Sequence, residues 1–281
     1  SGSRRGEEGL MGRMITSRTY STDRQRLARG LVRAARRAGR VILEIYAGDF
    51  SRRRKADGSP VTEADTAAER VIIEALGKLA PDIPVISEEN EISHAARCKG
   101  CFFLVDPIDG TKEFIARNGE FTVNIAFVEE GRPVLGVVYA PALDELYHVD
   151  ADGHAWRTKG RHRRPITTRG VPKGGKVALV SRSHMDAETK DLLDRLEVAE
   201  CCPLGSSLKF CRIAAGKADV YARCGGTHEW DTAAADAVLR AAGGMLLTSE
   251  GEPMAYGKPG FKNPAYIAVG ETGAASARLN K

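Results

Sequence analysis

The sequence predicts a mixed fold of helices and sheets, in which an α+β half is followed by a layered α/β half. Helical periodicity dominates residues 23–79, and an alternating apolar pattern typical of antiparallel strands fills residues 121–156. From residue 173 onward, short apolar runs alternate with helical patterns, as in layered α/β proteins. The 281 residues are enough for one large or two medium domains.

Two amphipathic helices are predicted near the beginning of the chain. The first starts at Asp23, because apolar side chains recur at helical spacing and arginines cover the remaining surface. The second runs from Thr62 or Glu63 to about Leu79. Residues 1–21 show no periodicity and are interpreted as a disordered leader. The apolar positions of the first helix are Leu27, Leu31, Ala34, Ala38, Ile42 and Ile45, and its arginines are Arg24, Arg26, Arg29, Arg33, Arg36, Arg37 and Arg40.

Strands are predicted in the middle of the chain. The apolar run Phe102–Val105 is too short for a helix and suits a buried strand, after which the chain is expected to turn at Asp106. Alternation from Phe121 to Phe127 predicts a half-buried strand. Returning strands at Pro133–Ala140 and Leu146–Val149, followed by a turn at Asp150–Gly153 before Ala155 and Trp156, then complete an antiparallel meander.

A domain boundary is predicted at residues 158–172, which are basic and poor in apolar side chains. This segment is interpreted as a linker between an N-terminal domain, residues 22–157, and a C-terminal domain, residues 173–281. The predicted strands of the second domain lie at 177–181, 218–222, 245–248 and 265–269, and its helices at 186–196, 206–215 and 230–242.

The composition is that of an ordinary globular protein, with 42% hydrophobic and 28% charged residues. No apolar run approaches the ~18 residues that a membrane-spanning helix requires. The net charge of +5 suits an anionic substrate as well as it suits nucleic acid. Six scattered cysteines without a signal peptide favour reduced thiols and a cytoplasmic location.

The segment from Asp106 to Thr111 carries the strongest functional signal. It places Asp106 and Asp109 three residues apart, directly after a predicted buried strand. Pro107 restricts the conformation of the residue before it, and Gly110 allows a sharp turn with close approach of a ligand. Both carboxylates can therefore face one pocket, where a divalent cation would relieve their repulsion. The alternative is an ordinary strand exit, since Asp-Pro and Asp-Gly are common in turns.

Further acidic residues recur where predicted elements begin or end. Asp65 lies in the first turn of the second helix, Glu88 and Glu89 follow a short strand at Val85 and Ile86, and Asp231 opens the last helix. Each has a simpler interpretation, because acids are favoured at helix beginnings and in solvated loops. Asp231 in particular suits an N-cap. Another predicted helix beginning that suits an anion contains Gly205, Ser206, Ser207 and Lys209.

Taken together, these motifs resemble a known family. The segments DPIDGT (106–111), WDTAA (230–234) and SEE (87–89) resemble the lithium-sensitive, magnesium-dependent phosphatases of the inositol monophosphatase superfamily. Residues 109–131, together with SRSH (181–184), GSSLKFC (205–211) and ADVYAR (218–223), resemble the bacterial 3′(2′),5′-bisphosphate nucleotidases. The resemblance implies a layered αβαβα sandwich. It also implies hydrolysis of the 3′-phosphate of 3′-phosphoadenosine 5′-phosphate, a by-product of sulfate assimilation.

The resemblance also implies roles for individual residues. Asp65 and Thr111 correspond to the pair that orients the attacking water, and Glu88 joins them as a catalytic residue. Gly110 and Thr111 would hold the phosphate through backbone N–H groups. Two or three Mg²⁺ ions would be bound by Glu88, Asp106, the carbonyl of Ile108, Asp109 and Asp231. Of these metal ligands, all except Asp106 would also contact the substrate. The remaining substrate contacts would be Gly110, Thr111, His184, Ser206, Lys209 and Arg223.

Two alternatives to this function stay open at the level of sequence. One is another activity of the superfamily, on inositol monophosphate or fructose 1,6-bisphosphate. The other is a catalytically silent binder that uses the arginine face of Arg24–Arg40, although a solvated face is favoured over a contact with nucleic acid. The expected partner is a small nucleotide and not a nucleic acid. Peripheral attachment of the basic helix to the inner membrane and the oligomeric state are left open.

Overall fold

The computed structural model describes residues 17–55, 58–98, 100–182 and 186–270. The first helix begins at Ser17, so the prediction that residues 1–21 form a disordered leader is wrong for residues 17–21. The second helix begins and ends as predicted. The α-helices among the described residues are α1 (Ser17–Ala47), α2 (Glu63–Leu79), α3 (Thr111–Ile115), α4 (Ala187–Arg195), α5 (Leu208–Ala214) and α6 (Glu229–Ala241).

The beginning of α2 is fixed by local chemistry. Thr62 is the N-cap, and its side-chain oxygen accepts a hydrogen bond from the backbone N–H of Ala64. Asp65, three residues later, accepts the backbone N–H of Thr62 in return. Such a capping box satisfies N–H groups that lack partners within the helix, which explains why the sequence located this boundary correctly.

A hairpin and a large sheet occupy the N-terminal half. The hairpin lies between α1 and α2 and was not predicted from the sequence. Its strands are β1 (Arg52–Arg54) and β2 (Pro60–Thr62), which pair antiparallel. The seven-stranded sheet has the spatial order β3 to β9, with β3 (Val85–Ser87), β4 (Cys101–Asp109), β5 (Thr122–Glu129), β6 (Arg132–Ala140), β7 (Glu145–Val149), β8 (Ala155–Lys159) and β9 (His162–Pro165).

The predicted antiparallel meander is confirmed for β5 to β8. Strands β4 and β9 extend it antiparallel at its two ends, whereas β3 joins β4 in parallel. The prediction that β5 is half-buried was wrong, because its polar positions Thr122 and Asn124 are as buried as their apolar neighbours. The reason is that α1 packs on one face of the sheet and α6 on the other. An alternating pattern therefore does not guarantee a solvated face.

The segment predicted as a linker is partly sheet. Residues 158 and 159 end β8, and residues 162–165 form β9 at the edge of the large sheet. The side chains of β9 are exposed, and three of its four residues are histidine or arginine. Charged side chains are typical of edge strands, because they discourage pairing with another chain. The basic, apolar-poor composition that indicated a linker thus reflects an exposed edge.

A second sheet forms the C-terminal half. Its strands β10 and β12 pair in parallel, and β14 pairs antiparallel with β12 and β13. Strand β11, which was not predicted, extends the sheet beside β10. The spatial order is β11-β10-β12-β14-β13, with β10 (Lys176–Val180), β11 (Val198–Pro203), β12 (Val220–Arg223), β13 (Met245–Thr248) and β14 (Tyr266–Val269).

The layers stack in the predicted αβαβα order. Helices α1 and α2 cover one face of the large sheet, and α5 and α6 lie between the two sheets. Helix α4 covers the outer face of the small sheet, where Leu193 and Leu196 pack with buried strand residues such as Val220. The predicted fold class is therefore confirmed. Within the described residues, no helix combines the length and the apolarity needed to cross a bilayer.

The contact between the large sheet and α6 depends on a glycine. A Cβ atom at Gly136 of β6 would lie 2.2 Å from the carbonyl oxygen of Ala234 and 2.8 Å from the Cβ of Ala237. Because backbone cannot move aside cheaply in a packed core, we expect Gly136→Ala to lower the free energy of unfolding by roughly 3 kcal/mol. Urea denaturation would measure this loss.

The control is Gly77→Ala in α2, where an added Cβ would have no neighbour within 4 Å. There the substitution is expected to stabilise the protein by up to about 1 kcal/mol, because alanine favours the helix. Equal effects of the two substitutions would contradict the close packing of β6 against α6.

Candidate active site

A cleft of about 980 Å³ opens where the two sheets, α5 and α6 meet the β1–β2 hairpin. Its floor includes four acidic residues from distant parts of the chain, Glu88, Asp106, Asp109 and Asp231. Nearly all the predicted site residues line it. The described lining residues used below also include Arg52, Arg53, Arg54, Ile108, Gly110, Thr111, Glu113, Ser206, Ser207, Lys209 and Arg223.

The pairing of β3 with β4 brings the first two acids together. These strands run in parallel with Ser87 opposite Val105, and the backbone N–H of Glu88 donates to the carbonyl of Val105 at 3.1 Å. Glu88 therefore follows β3 at the level where Asp106 lies on β4. Asp106 is 1% exposed, and its carboxylate accepts the N–H of Ile108 at 3.0 Å.

The predicted turn after Val105 was wrong, because β4 continues through Pro107 to Asp109. Asp106 pairs with Asn124 and Asp109 with Thr122, so β4 has one extra residue over this interval. A bulge of this kind tolerates a proline, which cannot donate a hydrogen bond to a neighbouring strand. It also lets both carboxylates reach the cleft from one strand.

The last acid comes from the first turn of α6. Asp231 is not the N-cap that the simpler interpretation predicted, because His228 holds that position. The carboxylate of Asp231 accepts the backbone N–H of His228 at 2.8 Å. One carboxylate oxygen each from Glu88, Asp106 and Asp231 lie within 4.8 Å of one another.

The electrostatics of this cluster favour a bound cation. Burial raises the pKa of Asp106 well above its ordinary value, and the neighbouring acids raise it further. Burial and the charges of Asp109 and Glu88 likewise raise the pKa of Asp231. For Asp109, burial raises the pKa to about 6 against the opposing effect of Lys209. Carboxylates with raised pKa values that share one site would gain from a divalent cation, which compensates both burial and repulsion.

A buried hydrogen-bond network positions Asp109. Its carboxylate accepts the backbone N–H of Ser207, just before α5. The hydroxyl of Ser207 lies 2.8 Å from the side-chain oxygen of Asn124 and 2.9 Å from the hydroxyl of Thr122. The sequence marked Ser207 as part of a predicted helix beginning that suits an anion, but it assigned no role in the site to Asn124 or Thr122. Two polar residues facing inward from β5 were the available signal, but they resembled a solvated strand face.

Gly110 joins β4 to α3 in a conformation that favours glycine. Its φ of +91° lies in the left-handed region, and an added Cβ would lie 3.2 Å from the carbonyl oxygen of Glu120. The hydroxyl of Thr111 donates to the carbonyl of Ile108 at 3.3 Å, so this carbonyl is held close to the acids. The first N–H groups of a helix have no partner within it, which leaves those at this junction suited to an anion.

Asp65 lies beside the cluster. Its Oδ2 accepts the backbone N–H of Thr62 at 2.8 Å and the hydroxyl of Thr62 at 2.6 Å. Burial is the main cause that raises its pKa to about 6, and the charge of Glu88 contributes in the same direction. Both hydrogen bonds from Thr62 end on Oδ2, so Oδ1 does not take part in them.

A lysine on the hairpin was missed by the sequence analysis. The ammonium of Lys55 lies 2.7 Å from a carboxylate oxygen of Glu88 and 2.6 Å from one of Glu89. Burial lowers the pKa of Lys55, but the two carboxylates outweigh this effect and raise it above its ordinary value. Burial and the charge of Glu88 raise the pKa of Glu89 to about 7. No local pattern pairs this lysine with residues more than thirty positions away.

The cleft lining also includes the predicted nucleotide residues Ser206, Lys209 and Arg223. Lys209 is 4% exposed, and its ammonium donates to the carbonyl of Ser206 at 2.6 Å and lies 4.9 Å from the centre of the Tyr221 ring. Arg223 donates to the carbonyl of Gly225 at 2.8 Å. Lys209 thus stabilises this part of the cleft lining through its hydrogen bonds and also gives it a positive charge. The predicted residue His184 lies outside the described residues.

Comparison with known proteins places the chain in a family. Residues 23–280 match the model of the inositol monophosphatase family. The chain belongs to this family. The match extends over both sheets and all four acids, so the family resemblance seen in the sequence is confirmed.

Within the inositol monophosphatase family, several relatives are similar over most of their length. The chain is 47% identical over 236 residues to the 3′(2′),5′-bisphosphate nucleotidase CysQ of Shigella flexneri, covering 83% of this chain and 95% of the relative. The identity to the CysQ of Escherichia coli strain K12 is 46%, with the same coverage. The crystal structure of CysQ from Bacteroides thetaiotaomicron superposes with a TM-score of 0.76 at 36% identity, covering 88% of this chain and 98% of that one.

The donor set fits the metal dependence of the inositol monophosphatase family. Carboxylate and carbonyl oxygens are the ligands that Mg²⁺ prefers. The three carboxylates within 4.8 Å of one another, with Asp109 and the Ile108 carbonyl beside them, offer only such oxygens. No cysteine lines the cleft among the described residues, which makes a site for softer metals a poor fit.

Proposed function

We propose that this protein is a magnesium-dependent 3′(2′),5′-bisphosphate nucleotidase that releases the 3′-phosphate of 3′-phosphoadenosine 5′-phosphate. What supports the proposal is a cleft with clustered acids on its floor and the cationic residues Lys209 and Arg223 on one wall. The similarity to curated bisphosphate nucleotidases extends over nearly their full length. We further propose that two or three Mg²⁺ ions are bound by Glu88, Asp106, the Ile108 carbonyl, Asp109 and Asp231.

Hydrolysis of a phosphate monoester is extremely slow without a catalyst, so the site must position a water and compensate the charge of the phosphoryl oxygens. Bound Mg²⁺ would supply charge compensation and lower the pKa of a water. The protein supplies orientation. Oδ1 of Asp65, which Thr62 does not contact, would accept a proton of the attacking water, and the hydroxyl of Thr111 is hydrogen-bonded to the Ile108 carbonyl. The N–H groups of Gly110 and Thr111 would hold a phosphoryl oxygen.

The cationic wall accounts for a preference for a bisphosphorylated nucleotide. A second phosphate would pair with Arg223 and Lys209, whose buried positions strengthen charge-assisted hydrogen bonds. Ser206 lies at the same wall, and we propose that it and His184 contact the nucleotide. A simple inositol monophosphate would leave the two cations without an anionic partner.

The function can be tested by phosphate release from three substrates at equal concentration, with Mg²⁺ or with a chelator. We expect the bisphosphate nucleotide to be hydrolysed much faster than inositol monophosphate or fructose 1,6-bisphosphate, and all rates to vanish with chelator. Arg223→Met, which keeps volume and removes charge, is expected to raise KM for the nucleotide by at least about tenfold. It should leave KM for inositol monophosphate nearly unchanged. A wild-type preference for inositol monophosphate would refute the proposal.

A further inference from the structure

The β1–β2 hairpin adds a basic rim to the cleft. Strand β1 consists of three arginines, Arg52, Arg53 and Arg54, and all three are exposed. All three also line the cleft. This arginine run lies on the hairpin, which reaches the cleft from the side of the large sheet, whereas Lys209 and Arg223 belong to α5 and β12.

The hairpin is held in place relative to the acids. Its second strand leads directly into the capped beginning of α2, and β2 contacts α3. The backbone N–H of Ser51, just before the run, donates to the Glu63 carboxylate at 3.1 Å. Directly after the run, Lys55 is paired with Glu88 and Glu89. The run is therefore anchored at both ends and is not a freely moving tail.

The charge of the arginine run is not compensated within the part of the chain that the structure describes. None of the three arginines forms an ion pair there, and Arg54 donates only to the carbonyl of Gly58, at 3.1 Å. By contrast, Arg182, the residue after the cleft-lining Ser181, is paired with Glu120 at 2.7 Å. Adjacent like charges repel, so a run of three facing a cleft favours an anion between them.

The other charges of the site already have partners under the proposed function, on which this inference rests. The floor acids would be matched by divalent cations, Lys55 would keep Glu89 as its partner, and Lys209 and Arg223 would be matched by the second phosphate. The arginine run is a cationic part of the cleft lining for which the described residues supply no acidic partner. Strand geometry separates Arg52 and Arg54 by about 7 Å along one face, a span that suits a phosphoryl group held from both sides.

We propose that Arg52, Arg53 and Arg54 form a third anion subsite, which binds a further phosphoryl group carried by the leaving nucleotide beyond the second phosphate. The arginines would thereby extend the substrate range to 3′-phosphorylated nucleotides with a 5′-diphosphate. They act on substrate affinity and not on the chemical step. Because arginine binds phosphate bidentately, lysine at these positions should preserve only part of the effect.

The test uses three substrates with zero, one or two phosphoryl groups at the 5′ position: adenosine 3′-phosphate, adenosine 3′,5′-bisphosphate and adenosine 3′-phosphate 5′-diphosphate. Loss of the 3′-phosphate is followed by chromatography for the wild type and for the triple variant Arg52→Ser, Arg53→Ser, Arg54→Ser. We expect KM to rise by about tenfold for the 5′-diphosphate alone, with kcat unchanged. The triple lysine variant should show an intermediate KM.

The matched control is Arg29→Ser, Arg33→Ser, Arg37→Ser, which removes the same charge from exposed positions of α1 that do not line the cleft. If the triple serine variant raised KM equally for all three substrates and this control did the same, the effect would be general electrostatic steering, and the subsite would be overturned. A loss that already appears with the bisphosphate would assign the run to the second phosphate instead. Unchanged KM values would overturn the subsite alone, whereas a wild type that hydrolyses none of the substrates would overturn the proposed function and the subsite with it.

Discussion

Asp106→Asn is expected to lower kcat by about a thousandfold or more while the protein stays folded. Asp106 lies at the centre of the acidic cluster, next to Glu88 and within 4.8 Å of the Asp231 oxygen. Asparagine keeps the shape of the side chain but removes a charge that a hard divalent cation requires. Because the pKa of Asp106 is raised by burial and by its acidic neighbours, the substitution also removes repulsion. The metal-free variant should therefore be at least as stable as the wild type at neutral pH.

Two measurements separate these effects: steady-state kinetics at saturating substrate, and the rise in Tm on titration with Mg²⁺. The control is Asp152→Asn, the same substitution in a second acidic group, formed by Asp150, Asp152 and His154 on the turn between β7 and β8. Asp152 is exposed and does not line the cleft, so kcat should not change. A near-normal kcat for Asp106→Asn, or an undiminished Mg²⁺-dependent rise in its Tm, would remove Asp106 from the metal site.

Mg²⁺ is expected to stabilise the protein far more at pH 8 than at pH 5. The pKa of Asp65 is raised by burial from 3.8 to about 6, which corresponds to roughly 3 kcal/mol. Between these two pH values the Asp65 carboxyl is ionised in the unfolded chain but protonated in the folded protein. The free energy of unfolding therefore falls as pH rises from about 4 through 6. The pKa of Asp109 is also raised to about 6, and burial and acidic neighbours raise the pKa values of Asp106 and Asp231 in the same direction, which adds to the loss of stability as pH rises.

Bound cations would compensate the burial of the carboxylates and the repulsion between them. They can do so only at a pH where these carboxylates are ionised. At a Mg²⁺ concentration about 100-fold above Kd, binding adds roughly 2.7 kcal/mol to the free energy of unfolding. At pH 5 the protons compete with the metal, so the same concentration should add much less. Thermal unfolding with and without Mg²⁺ across this pH range measures the difference.

Other groups change the stability with pH in the opposite direction. The effect of Mg²⁺ is therefore measured as a difference between the wild type and Asp106→Asn. Burial lowers the pKa of His148 from 6.5 to about 4, and this stabilising contribution is lost as pH falls through that interval. Glu145 behaves similarly, because hydrogen bonds from Tyr147 and basic neighbours outweigh burial and lower its pKa to about 2. Both contributions cancel when the wild type is compared with Asp106→Asn. A Mg²⁺ effect of the same size in both proteins, or one that grows toward low pH, would contradict the assignment.

Local patterns were sufficient for the helices and for the identity of the acids. The capping box of Thr62 and Asp65 marked the beginning of α2, and the helical spacing of Leu31 and Ile42 marked the buried face of α1. Such signals arise within a few residues, where backbone geometry fixes which side chains share a face. The motif from Asp106 to Thr111 likewise identified the site, because it places acids, a proline and a glycine at fixed separation.

Long-range packing decided what those patterns left open. The sequence named Glu88, Asp106 and Asp231, but only the parallel pairing of β3 with β4 and the docking of α6 bring their oxygens together. It missed Lys55, whose carboxylate partners lie more than thirty residues away. The composition of residues 158–165 could not distinguish a linker from an exposed edge, because both are basic and solvated. Chemistry carried by neighbouring residues can be recognised in the chain itself, whereas burial and pairing depend on which distant segments pack together.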